Sequence, residues 1–206
     1  MSPYEALLTL LLYFTQLLAI MNPFSVIPTF LGMTEGMSGE DVSRVIRRAS
    51  LAGLLIVITF TLAGSYILKV FNVSIAGLRV GGGVVLMVLA IDMLGGQPRT
   101  KRVRREDIAV VPIATPLLIG PGTITTILLL TSSKPGDTLN LVLVLVAGIA
   151  ACAASFAILR LSRLIVKYLR ISVVRALGRF MALIIAGVAA EMMVSGISMY
   201  YHTFFK

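Results

Sequence analysis

"AIMNPFSVIPTFLG", residues 19–32, lies inside a run that is otherwise apolar enough to be a first membrane-spanning helix. Proline has no amide N–H and its ring clashes with the preceding turn, so inside a helix it costs about 3 kcal/mol or more. Asn22, Pro23, Ser25 and Pro28 are therefore expensive residues to place in hydrocarbon. The same pattern returns in "ATPLLIGPGTITT", residues 114–126. In lipid an interrupted helix is tolerated only where the freed backbone groups meet protein or a water-filled cavity. Two such interruptions at comparable places decide the reading of the fold.

The chain of 206 residues is 58% hydrophobic and only 13% charged, and has no Trp. Its mean hydropathy is +0.99, and soluble domains carry about 25% charged residues. Apolar runs of the ~17–25 residues needed to cross a bilayer recur along its length. The expected class is an all-α polytopic membrane protein with six spans, at roughly 5–34, 44–69, 75–96, 108–131, 138–166 and 175–201. The N-terminal "MSPYEALLTLLLYF" has no basic n-region and no small-residue cleavage site follows, so it reads as a retained span. The single cysteine, Cys152, sits in apolar "AACAASF", reads as buried packing, and leaves the redox compartment unreadable.

A net charge of +9 raises the question of nucleic acid, but the charges fall in a topological pattern. The connections after spans one, three and five hold Arg44, Arg47 and Arg48, then Arg99, Lys101, Arg102, Arg104 and Arg105. They end with Arg160, Arg163, Lys167, Arg170, Arg175 and Arg179, which makes 14 of the 18 Lys and Arg. Lys69, Arg79, Lys134 and Lys206 remain for the other side. By the positive-inside rule both termini are expected outside, in a multi-pass protein of the plasma membrane. The basic run at 99–105 is too short for a nucleic-acid module and reads as orientation and lipid-headgroup contact.

Six spans also divide into two related halves. Pro23 and Pro121 lie 98 residues apart; "RVGG" (79–82) and "RALG" (175–178) are 96 apart; "DM" (92–93) and "EM" (191–192) are 99 apart. The expected organisation is a first three-span repeat at 1–97, a basic cytoplasmic linker at 98–107 and a second repeat at 108–206. Three spans is an odd number, so the second repeat would be inverted, an arrangement recurrent in transporters with the substrate near the midplane. Each proline then ends one half-helix and starts another, because Pro is acceptable in a first turn. A restarted helix offers unpaired N–H groups and a positive dipole end to an anion. The ends of the preceding half-helices, Ala19–Met21 and Leu117–Ile119, offer carbonyls to a cation. The simpler alternative is that both prolines only kink their spans. Residues 5–21 already cover about 25 Å, so Asn22 reaches the midplane only by tilt or by a first turn outside the core.

At these residues the sequence resembles the MarC family of integral membrane proteins. The resemblance rests on "NPFSVIPTFLGMT" and "RVGGGVVLMVLAIDML" in the first half, and on "IATPLLIGPGTITTIL" and "RALGRFMALIIAGVAAEMMVSGI" in the second. It implies six spans and, for characterised members, transport of glycine, alanine and similar small neutral amino acids. The family's older association with multiple antibiotic resistance does not imply drug efflux.

The expected substrate-binding set is Asn22, Pro23, Ser25 and Thr29 at the first break, with Gly120, Pro121, Gly122, Thr123 and Thr126 at the second. The hydroxyls serve equally well to satisfy local backbone. Asp92 and Glu191 are the acids placed at membrane depth, where a charge is costly and usually functional, and are the expected ion-coupling residues. Asp92 has an alternative at the interface, paired with nearby arginine. Gly81, Gly82 and Gly83 read as sites of close helix approach, Arg79 as a snorkelling residue, and His202 as part of an aromatic anchor.

The expected function is ion-gradient-driven secondary transport of small neutral amino acids by alternating access, with protons preferred over Na+ as the coupling ion. Expected partners are the amino acid, the ion and membrane lipids, with no nucleic acid, cofactor or metal, and homo-oligomerisation left open. The alternatives are a passive channel, an exporter of another small solute, or a non-transporting scaffold. An enzyme is not expected: there is one His and no Ser/His/Asp or HExxH set.

Overall fold

The computed structural model describes residues 2–95 and 118–204, and among these the regular structure is entirely helical. The expected linker at 98–107, the basic run at 99–105, Leu117 and the opening of the fourth span at 108–117 lie outside the described residues.

Helix starts follow capping chemistry. Ser2 opens α1 (Pro3–Met21) with a reciprocal cap: Glu5 N–H donates to Ser2 Oγ at 3.2 Å and Ser2 N–H donates to Glu5 Oε2 at 2.8 Å. After α2 (Pro23–Met33), Ser38 opens α3 (Gly39–Val70) by accepting from Asp41 N–H at 3.1 Å. Glu40 and Asp41 suit the positive end of that helix. Ser74 starts α4 (Ile75–Leu94), accepting from Gly77 N–H at 3.0 Å. The second half contributes α5 (Pro121–Ser132), α6 (Thr138–Arg160), which Asp137 caps, and α7 (Ser162–Phe204), which bends at Arg170.

Pro3–Met33 taken together, α3, α4, α6 and α7 are each long and apolar enough to cross a membrane, and α5 is a shorter apolar helix. The fifth span differs from expectation. It closes at Arg160 rather than near 166, and a separate leg begins at Ser162 and turns at Arg170, whose φ is 58°. The leg carries Arg163, Lys167 and Arg170. Charges at that density are expelled from hydrocarbon, while Ile165 and Val166 still pack against the core.

Two buried clusters hold the bundle. One gathers Leu17, Met21, Ile27, Val57, Ile119 and Phe156; the other gathers Ile20, Leu86, Ile185 and Met192. The outside is apolar as well: Leu51, Leu55, Ile58, Leu62 and Tyr66 form an exposed stripe along α3. In a bilayer that stripe meets acyl chains as apolar as itself, so close packing rather than water exclusion drives helix association. The α4–α7 pair shows how closely helices pack. A Cβ on Gly83 would lie 2.8 Å from the Ala189 carbonyl, and one on Gly196 2.8 Å from that of Ala76. Gly82 meets Thr125 and Met192, whereas Gly81 has open space within 4 Å, so two of the three adjacent glycines make the expected approach.

Candidate functional site: two helix restarts

Asn22 is both the last cap of α1 and the first of α2. Its backbone is left-handed, with φ 41° and ψ 62°. Asparagine enters this region more readily than any bulky residue because its short polar side chain bonds locally. Asn22 N–H donates to the Leu18 carbonyl at 3.0 Å, closing α1. Its Oδ1 accepts from Ser25 N–H at 3.4 Å, opening α2. Pro23 occupies the first turn, where a missing N–H costs nothing. Asn-Pro is therefore a joint, with one residue supplying both caps and the turn between them.

The joint is fully buried and sealed by α7. Asn22 Nδ2 donates to the Gly178 carbonyl at 3.2 Å and approaches Met93 Sδ at 3.5 Å; Ser25 Oγ donates to the same carbonyl at 3.4 Å. A Cβ on Gly178 would lie 3.1 Å from Ser25 Cα and 3.3 Å from Ser25 N. The missing side chain lets α7 lie against the first turn of α2. On the α6 side, Ser155 Oγ reaches Met21 Sδ at 3.5 Å.

The second restart is built differently. Gly120 caps α5 in extended conformation and gives no side-chain bond, so the first-turn amides of Gly122 and Thr123 lack the cap that Asn22 supplies in α2. Gly122 and Thr123 are buried. A Cβ on Gly122 would lie 2.6 Å from Leu86 Cδ2 and 3.6 Å from Ile20 Cγ2. The α5 start thus faces α1 at Ile20, two residues before Asn22, and the two restarts converge.

Each restart leans on the third span of the opposite half. The "NPFS" stretch packs on Gly178 of "RALG", and "GPGTIT" packs on Leu86 and on Gly82 of "RVGG". Along α4 the contacts are not level, because Leu86 and Met93 are seven residues apart, about 10 Å of helix. The first break lies nearer the end of α4, and the second lies at its middle.

The remaining expected residues fall into groups. Thr123 Oγ donates to the Leu118 carbonyl at 3.2 Å and Thr126 Oγ to the Gly122 carbonyl at 2.9 Å, so both hydroxyls serve local backbone. Thr29 is half-buried, on the face of α2 one turn beyond Ser25. Asp92 is half-buried and precedes Met93 near the end of α4. Glu191 is exposed on α7, one turn before Ser195, which accepts from Arg79 Nη1 at 2.9 Å. Glu191 is thus not gathered with the breaks. Gly178 and Ser155 were not expected in the site. The match between "RALG" and "RVGG" was the available sign for Gly178, and nothing in the sequence marks Ser155. Among the described residues no group of three or more His, Cys, Asp or Glu is arranged to hold a metal.

Comparison with known proteins gives a consistent family. The model for the MarC family of integral membrane proteins matches residues 7–201. A UPF0056 membrane protein of Methanocaldococcus jannaschii is 31% identical over 91% of this chain and 95% of its own. YvbG of Bacillus subtilis is 30% identical over 89% and 92% of the two chains, and YhcE of Escherichia coli 30% over 90% of each. Both are UPF0056 membrane proteins, a name that states no cargo. No solved structure matches.

Proposed function

The chain belongs to the MarC family of integral membrane proteins, and on that premise we propose that it is a secondary transporter of small neutral amino acids, driven by an ion gradient. The observation that carries the reading is the crossed packing of the restarts, each seated on the third span of the other half. Two half-helix starts that meet across a bundle are a substrate-site architecture, and an inverted pair of repeats accounts for the crossing. The unequal caps assign roles. The α5 start, with buried and uncapped amides at Gly122 and Thr123, receives the carboxylate of the amino acid. The α2 start, already capped by Asn22 and closed by Gly178, is the sealed side of the site. Alternating access moves the third span of one half away from the restart it covers. Asp92, near the end of α4, and Glu191 carry the coupling ion, a proton in preference to Na+. Both termini lie outside a plasma-membrane protein in this reading, following the distribution of arginine and lysine.

Purified protein in liposomes, offered labelled glycine, alanine and serine under imposed proton or Na+ gradients, tests this. Accumulation above equilibrium supports a coupled transporter. Entry that only equilibrates identifies a channel, and no entry of any of the three removes this cargo class.

A further inference from the structure

A groove of about 730 Å3 opens where α3 begins and α6 ends, and none of the residues at the two restarts lines it. Its rim is cationic. Arg44 and Arg47 come from α3 and Arg160 from the last turn of α6, with Glu40 as the one acid lining it. Arg44 is paired with Asp41 at 3.2 Å, while Arg47 and Arg160 have no carboxylate within ion-pair distance among the described residues. The groove therefore keeps two guanidinium groups, from different helices, for an anion. Guanidinium forks match phosphate oxygens in shape as well as charge.

The floor is apolar and leads out to the membrane-facing surface. Phe156, 5% exposed, closes it, and Leu51 and Ala157 form its sides. From Leu51 the exposed stripe continues down α3 through Leu55, Ile58 and Leu62. From Ala157 a second exposed track continues along α6 through Ala153 to Ile149 and Val146. A small soluble anion would use the arginine rim and nothing below it. An amphiphile with a phosphate at one end uses both.

We propose that this groove is a binding site for an anionic phospholipid. Arg47 and Arg160 hold its phosphate, and an acyl chain runs along Leu51 and Leu55. The site is independent of the cargo and of the direction in which the chain is inserted. Basic pockets between transmembrane helices are suited to such headgroups.

The test uses the full chain, delipidated in detergent and titrated with phosphatidylglycerol, phosphatidylcholine or inorganic phosphate, with bound lipid read by native mass spectrometry. Phosphatidylglycerol is expected to bind saturably and more tightly than phosphatidylcholine. Arg47→Gln with Arg160→Gln should weaken it about tenfold to thirtyfold. Arg163→Gln with Arg179→Gln, the same charge change on exposed positions outside the groove, should leave it within about threefold. Leu51→Ser should weaken the lipid and leave phosphate unaffected. Equal losses from the two double variants would reduce the effect to general surface charge and overturn the site. Full competition by inorganic phosphate, with no effect of Leu51→Ser, would make it a free-anion site and overturn the lipid. The five substituted positions, Arg47, Leu51, Arg160, Arg163 and Arg179, are all exposed, and an unchanged Tm separates lost binding from lost folding.

Discussion

Asn22 and Gly178 are 156 residues apart in sequence, yet the side-chain amide of one donates to the backbone carbonyl of the other at 3.2 Å. The contact joins a helix break in the first half to the third span of the second. It makes Asn22 a structural residue before it is anything else, which separates two substitutions that look similar on a hydropathy scale.

Asn22→Gly retains the left-handed turn and loses the cap and the bond to Gly178. It should lower stability by about 1 kcal/mol. Asn22→Leu also loses the bonds and must hold a branched side chain at φ 41°, adding about 1–2 kcal/mol of backbone strain. Thermal unfolding in detergent should rank wild type above Asn22→Gly and Asn22→Leu last. Equal stability of the two variants would mean the turn is not under the constraint described.

The glycines of α4 give a graded series. Gly81→Ala meets open space and should be neutral or stabilising by up to about 1 kcal/mol. Gly82→Ala pushes on the side chains of Thr125 and Met192, which have some freedom to yield. Gly83→Ala pushes on the Ala189 carbonyl and Met193 N–H, which are backbone and cannot, and should cost about 1–3 kcal/mol. Melting temperatures in the order 81, 82, 83 are expected, and a reversed order would contradict the α4–α7 packing.

Gly178→Ala bears on function as well as stability. Its Cβ would meet Ser25 Oγ at 2.9 Å and then the Ser25 backbone, with Cα at 3.1 Å and N at 3.3 Å, so trimming that side chain with Ser25→Gly should not fully restore the fit. Uptake in liposomes should fall in the single and double variants alike, and recovery in the double variant would locate the clash in the hydroxyl instead.

Coupling is tested at Glu191. The residue is exposed on α7, so Glu191→Gln should leave folding intact. If Glu191 carries the proton, gradient-driven accumulation is lost while exchange of labelled for unlabelled substrate continues. Normal accumulation would remove Glu191 from the mechanism and leave Asp92 as the coupling acid.

Topology follows from labelling. Cys152 is 1% exposed, so introduced cysteines report without interference. Ser2→Cys should react with an impermeant maleimide from outside intact cells, and Arg163→Cys should not. The opposite pattern would invert the charge argument.

The two breaks were legible because Asn-Pro at 22–23 and Gly-Pro-Gly at 120–122 leave a mark in an apolar run that hydropathy alone does not. Their partners were not legible: nothing local to "NPFS" names a glycine 156 residues away. The three adjacent glycines show the same limit. Which of them faces a neighbour depends on the rotation of α4, and that is set by tertiary contact. The fifth span was read too long because "SRLIVKYLR" keeps enough apolar residues to continue the hydropathy signal across a real end at Arg160. The depth of the breaks was half legible. Counting residues from the N-terminus puts Asn22 past the midplane unless α1 tilts or its first turn lies outside the core, and Met93, which Asn22 approaches, lies near the end of α4.

Because the carbonyl that seals the first joint belongs to Gly178, the joint is made long before its seal exists. At about 5–20 residues per second, the ribosome needs roughly 8–30 s to travel the 156 residues between them. For that interval a left-handed turn with a polar amide waits inside the membrane or its insertion machinery with the partner still unsynthesised. The first half therefore reaches its final form only after most of the second has been delivered. The bonds from Asn22 and Ser25 to the Gly178 carbonyl accordingly belong to the contacts that only the late part of synthesis can supply.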